Sequence, residues 1–216
     1  PAMRPMLRRL DGFGKEEFAH RRERIRHVRN ENDLVSFSRS HHDASDPLPI
    51  PIQTEDWAFL ERGMAQRIRI FDALAADIYG EQSLWKRGIL PPALLYANPG
   101  FMQVVWQVMT PGNIRVHLSG CDVIRAADGN FYAVDDHLQI PAGLGNALEN
   151  RLAVGRALPE LFRDMRAERL AGFFKKFQES LAAIQQTGSP DSRMVLLASG
   201  PGSANRNEDA VLARYL

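Results

Sequence analysis

Three residues in the middle of the chain, Asp122, Asp135 and His137, have the types and spacing to hold a divalent cation. Asp122 follows Ser119-Gly120-Cys121, Arg125 lies three residues on, and Asp135-Asp136-His137 comes after an Asp128-Gly129 turn signal. Alternating, β-branched segments on either side of that turn predict an antiparallel hairpin. Pairing Ala127 with Asn130 makes the partner indices sum to 257, which sets Asp122 opposite Asp135 to within about one residue. The strand period of two sends Asp135 and His137 to one face. Two hard carboxylates beside a phosphate suit Mg²⁺, and a histidine tilts the set towards Mn²⁺ or Zn²⁺. The plainer alternative is that Asp135 and Asp136 end a strand and solvate a turn.

Other chemistry-bearing types are scattered. The Gly200-Pro201-Gly202-Ser203-Ala204-Asn205 turn after the apolar run 194–199 could cradle a phosphate through backbone N–H groups at Gly200, Gly202 and Ser203. It lacks the spacing of a P-loop or a dinucleotide fingerprint, and any sharp strand-to-helix bend also needs glycine. His41, His42 and Asp43 are ligand types, but adjacent histidines in a polar loop rarely converge on one ion. The basic run from His20 to Asn30 reads as a solvated amphipathic face. Cys121 is the one cysteine, so an internal disulfide and a cysteine-rich zinc site are excluded, and no base stands beside it to make it a nucleophile.

The elements that must position these residues follow from periodicity. Residues 3–30 read as helix, broken at Gly12 and Gly14. Residues 38–53, with prolines at 47, 49 and 51, read as a linker or docked loop. Thr54 opens a long helix with Glu55 and Asp56 in its first turn and Leu60, Met64, Ile68, Phe71, Leu74 and Ile78 on one stripe, ended at Tyr79-Gly80 by a glycine cap. A short helix is expected at Gln82–Arg87, three or four antiparallel strands over 101–137, and helix again from about Ala147 and over 158–186. The run 194–199 is expected to be a parallel strand buried on both faces, followed by a glycine turn and a helix. The fold expectation is mixed α/β: a helical N-terminal region with its linker (1–53), then a domain over 54–216 with a central antiparallel sheet and a C-terminal strand–turn–helix unit.

Composition removes several function classes. The 216 residues carry 27 Lys+Arg against 26 Asp+Glu, a net charge of +1, with 44% hydrophobic residues. That is globular composition without the basic excess that marks a nucleic-acid or anionic-membrane partner. No window reaches the roughly 18 apolar residues of a membrane span, and the basic N-terminus has no apolar signal region, so a cytoplasmic protein is the expectation.

The segments Thr54–Leu95, His117–Arg151 and Met194–Leu216, long and in this order, resemble the circularly permuted ATP-grasp proteins, bacterial relatives of glutathionylspermidine synthetase. The resemblance implies ATP-dependent joining of a carboxylate to an amine through an acyl phosphate, with Mg²⁺ bridging the ATP phosphates and a peptide-like or amino-acid-like substrate. It implies that Asp122, in a Gly-x-Asp-x-x-Arg segment, and Asp135, at the glutamate of a Glu-Asp-Asn pattern, are metal ligands. His137 then takes the asparagine position, and Arg125 stands near the phosphates as a catalytic group. Pro141, Ala142 and Gly143, with Asn150 and Arg151, match a loop on the acceptor-substrate side. This chain departs from the pattern at His137, at Gln139 in place of an arginine, and at Ala142 in place of a serine, which removes a positive charge and a hydroxyl donor. The family's lysine-bearing nucleotide pocket lies beyond the segment matching Leu216, so a fragment or a short homologue is expected. Part of a ligase is therefore the primary reading, with a non-catalytic binding module, and then a metal-dependent hydrolase, as alternatives.

Overall fold

The computed structural model describes residues 3–31, 48–139, 141–184, 194–198, 200, 203 and 206–215. Along the chain they form α1 (Met3–Asp11), α2 (Gly14–Glu31), α3 (Thr54–Ile78), α4 (Ser83–Lys86), α5 (Ala93–Tyr96), β1 (Gly120–Arg125), β2 (Phe131–His137), α6 (Leu144–Ala157), α7 (Pro159–Asp164), α8 (Ala171–Ala183) and α9 (Arg206–Tyr215). The protein is mixed α/β, and its sheet is the antiparallel pair β1–β2. The histidine-rich loop at 41–43 lies outside the described residues, whereas Leu48–Gln53 runs free of helix and strand.

One compact unit is built on Thr54–Pro141. Its α3 ends as expected at Ile78, but for a different reason than a left-handed glycine cap. A Cβ on Gly80 would lie 2.5 Å from the Ala76 carbonyl oxygen, so the glycine supplies clearance, and the left-handed residue is Gln82 (φ 55°). The Asp77 carboxylate then caps α4, accepting from Ser83 N (2.7 Å), Ser83 Oγ (2.6 Å) and Leu84 N (3.1 Å).

Burial pushes the Asp77 carboxyl up, but the hydrogen bonds from Ser83 and Leu84 outweigh it and hold it below its ordinary 3.8. A depressed folded value means the carboxylate stabilises the fold above the unfolded value and loses that contribution as pH falls through the folded one. Asp77→Ala is therefore expected to cost about 1–2 kcal/mol at neutral pH. In thermal melts its gap from the wild type should close as the pH drops below about 4.

Between Phe101 and Ser119 the extra strands expected from alternation do not form; the described residues make tight turns at Gln103–Val105 and Pro111–Asn113. Side chains and helix ends take the backbone groups that strand neighbours would have used. Gln107 N donates to Tyr79 O (2.7 Å), the Trp106 indole donates to Gly80 O (2.8 Å), and Asp72 Oδ1 accepts from both Arg115 N and Val116 N (2.7 and 2.9 Å).

The second unit gathers α1, α2, α6, α7, α8 and α9. Met6 and Ile25 from the N-terminal helices pack with Ala153, Val154, Ala157, Leu158 and Leu161 in one buried cluster. Arg21 fastens this contact from the side, lying 4.2 Å from the Phe13 ring centroid and 2.8 Å from Glu160. A second cluster, Leu148, Phe174 and Val211, joins α6, α8 and α9. The stretch expected as one helix over 158–186 is interrupted after Asp164, where Arg166 turns left-handed (φ 50°). Residues 194–198 are not a buried parallel strand: they carry no strand pairing, and Val195 and Leu197 are 85% and 95% exposed. A strand apolar on both faces needs neighbours on both edges, and the described residues pair only β1 with β2.

Candidate metal centre

The hairpin turns through Ala127-Asp128-Gly129, with Ala126 N donating to Asn130 O (2.9 Å) and Gly129 left-handed at φ 85°. This is a three-residue loop, so pairing near the turn runs one residue out of the expected register: Arg125 faces Phe131 and Val123 faces Ala133. A β-bulge then inserts Val134 between Ala133 and Asp135, and beyond it Asp122 faces Asp135, Cys121 faces Asp136 and Gly120 faces His137. The expected Asp122–Asp135 pairing is reached, through two local shifts that cancel.

The bulge also decides which face the donors share. Val123, Phe131 and Ala133 line a hollow with Phe59, Met64 and Arg67 of α3. Asp136 and Arg125 engage α3 as well, through Arg67 and Asp56. Asp122 and Asp135 face each other and His137 is offset from them by two residues, so that all three lie on the other face, where one ligand atom from each falls within 4.8 Å of the others. His137 Nε2 lies 3.2 Å from Asp122 Oδ2, and all three side chains are exposed. Donors around an octahedral cation at about 2.1 Å lie roughly 3–4.2 Å apart. The three therefore stand close enough to converge on one ion after side-chain adjustment, with open positions left for water or phosphate oxygens.

Other expected residues fall elsewhere. The Arg125 guanidinium lies 3.4 Å from Asp56, donates to Gly129 O (3.1 Å) and sits over the Phe131 ring, so it is on the face opposite the donor trio. Ser203 N donates to Gly200 O (2.9 Å), which takes up one N–H expected to face a phosphate; Gly202 lies outside the described residues. In the other unit Asn150 is exposed, and Arg151 stacks on Phe162 and bonds the Glu168 carbonyl. Gly143 (φ 115°) precedes α6. Burial and then Asp136 push the Cys121 thiol up, away from the range of a reactive thiolate.

Two residues that periodicity did not single out prove central to these surroundings. Arg67 forms a bidentate pair with Asp136 and holds its carboxyl below the usual range. Glu208, 4% exposed, accepts from Gly143 N, Gly145 N and Asn146 Nδ2 and so caps α6 from α9. In the sequence each looks like one more charged helix residue, and the partners lie 69 and more than 60 positions away.

The chain belongs to the circularly permuted ATP-grasp type 2 family, whose model matches residues 49–216, a span that includes the donor trio and its hairpin. An uncharacterized protein of Mycobacterium bovis is 34% identical over 79% of this chain, and one of Mycobacterium leprae is 30% identical over 84%. A Frankia alni protein named "Putative glutamate--cysteine ligase 2-3" is 30% identical over the full chain. The chain spans 19%, 33% and 26% of the lengths of these three relatives. Among the described residues, no helix is long and apolar enough to cross a membrane.

Proposed function

We propose that this chain supplies the metal-and-phosphate part of an ATP-dependent carboxylate–amine ligase. Asp122, Asp135 and His137 would hold a divalent cation, Mg²⁺ in the cell, and that ion would supply charge screening to the ATP phosphates for a ligation that proceeds through an acyl phosphate. An amine of a peptide-like or amino-acid-like substrate then displaces the phosphate. The residues Pro141, Ala142 and Gly143, with Asn150 and Arg151, belong to the acceptor side, and Gly200, Gly202 and Ser203 to the nucleotide side. The observation that carries the reading is the convergence of three hard or borderline donors on one sheet face within the segment matched by the ATP-grasp family. The name of the Frankia relative is consistent with carbon–nitrogen bond formation.

Isothermal calorimetry of the chain with Mg²⁺–ATP tests this. The wild type is expected to bind at micromolar affinity, and Asp122→Asn or Asp135→Asn to weaken binding beyond the roughly 10–100-fold that substitutions outside the ligand shell cost. Equal binding by wild type and both variants would remove the metal assignment. Absence of binding in the wild type would leave either a site completed by a part of the relatives' length outside this chain or the non-catalytic module.

A further inference from the structure

We infer that Arg67 and Asp136 form a positioning pair that holds the donor-bearing end of the hairpin in register; the inference rests on the metal reading above. Asp136 stands in sequence between two of the proposed donors, yet the register turns it to the opposite face, across from Cys121. There Arg67 Nε donates to Asp136 Oδ1 (2.9 Å) and Arg67 Nη2 to Oδ2. A fork gripping both oxygens fixes the carboxylate in plane and direction, which one ammonium cannot do. On the other side of the same residue, Asp136 N donates to Asp135 Oδ1 (2.8 Å) and orients that donor carboxylate.

The strand end needs such an anchor. A two-stranded sheet is marginal by itself, and the bulge at Val134 interrupts the ladder just before Asp135. Beyond it, Gly120–His137, Cys121–Asp136 and Asp122–Asp135 are the pairs that carry the donors. A slip of one residue there would send Asp135 and His137 to the α3 face and part them from Asp122. The pair from α3 opposes that slip without touching the cation.

The test uses Mn²⁺ as probe, followed by its electron paramagnetic resonance, together with amide hydrogen exchange in metal-free protein. Arg67→Ala, Arg67→Lys and Asp136→Asn are expected to weaken Mn²⁺ binding roughly 10–100-fold. They should also speed exchange over residues 120–122 and 135–137 while sparing the Ala126 and Gly129 amides at the turn. Asp122→Asn should weaken Mn²⁺ more and leave exchange unchanged. The swap of Arg67→Asp with Asp136→Arg should restore part of both losses, which a merely unfolded variant would not do. Unchanged exchange in Arg67→Ala overturns the proposal. So does Asp136→Asn that loses Mn²⁺ as fully as Asp122→Asn with exchange unmoved, since Asp136 would then be a ligand. Should the wild type take up no Mn²⁺, the metal reading fails by itself, and the exchange result decides whether Arg67 holds the strand end.

Discussion

Glu208→Ala lowers the stability of its unit by about 2–4 kcal/mol, because it strips the acceptor from two backbone N–H groups and a side-chain amide at a nearly buried position. The four leading N–H groups of a helix have no partner within it. At α6 the residue before the helix is glycine, which has no side chain to cap them. A carboxylate arriving from α9 does that work and gains from the helix dipole as well. Glu208→Gln keeps an acceptor oxygen and should lose about half as much. Gly145→Ala tests the same joint sterically: a Cβ there would lie 2.8 Å from the Glu208 carbonyl oxygen and 2.9 Å from its Cγ, and backbone cannot swing aside. Chemical denaturation followed by circular dichroism gives the energies. Faster exchange of the Gly143 and Gly145 amides would place the loss at the cap, and unaltered stability in Glu208→Ala would show that water replaces the carboxylate.

Leu158→Ala is expected to cost about 2–5 kcal/mol, a large share of the roughly 5–15 kcal/mol that holds a typical domain. Leu158 is fully buried where the C-terminus of α6 meets α7, among Met6, Ile25, Val154 and Leu161. Removing its isopropyl group leaves a cavity walled by two helix pairs that cannot close on it independently. The urea midpoint should fall with little change in slope. A parallel loss of protection in α1 and α2 would show that the N-terminal helices depend on this cluster. A loss of less than 1 kcal/mol would mean that Met6 and its neighbours collapse into the space.

The periodic elements were legible because their causes are local. The stripe from Leu60 to Ile78 predicts α3, the Gly12–Gly14 break separates α1 from α2, and Asp128-Gly129 marks the hairpin. Among the described residues the strands expected over 101–119 and 194–199 are not formed at 101–119 and 194–198, because alternation reports a residue's preference for a pleated surface and not whether a neighbouring strand exists to complete it. Trp106, Asp72 and Tyr79 satisfied the backbone of the first segment instead. The helix expected over 158–186 broke at Arg166, where no glycine or proline announces the turn.

By itself the sequence determined the donor types, the hairpin that carries them and the placing of Asp122 near Asp135, since turn chemistry and a period of two act within a few residues. Only the tertiary structure decided that a bulge at Val134 absorbs the extra residue and turns the donors away from α3. It also decided that Arg125 pairs with Asp56, that Arg67 grips Asp136, and that Glu208 closes the start of α6. Each of these is a charge meeting a partner about 60 or more positions away. Side-chain type states what a group can bond, and packing alone brings the partner within 3 Å or so.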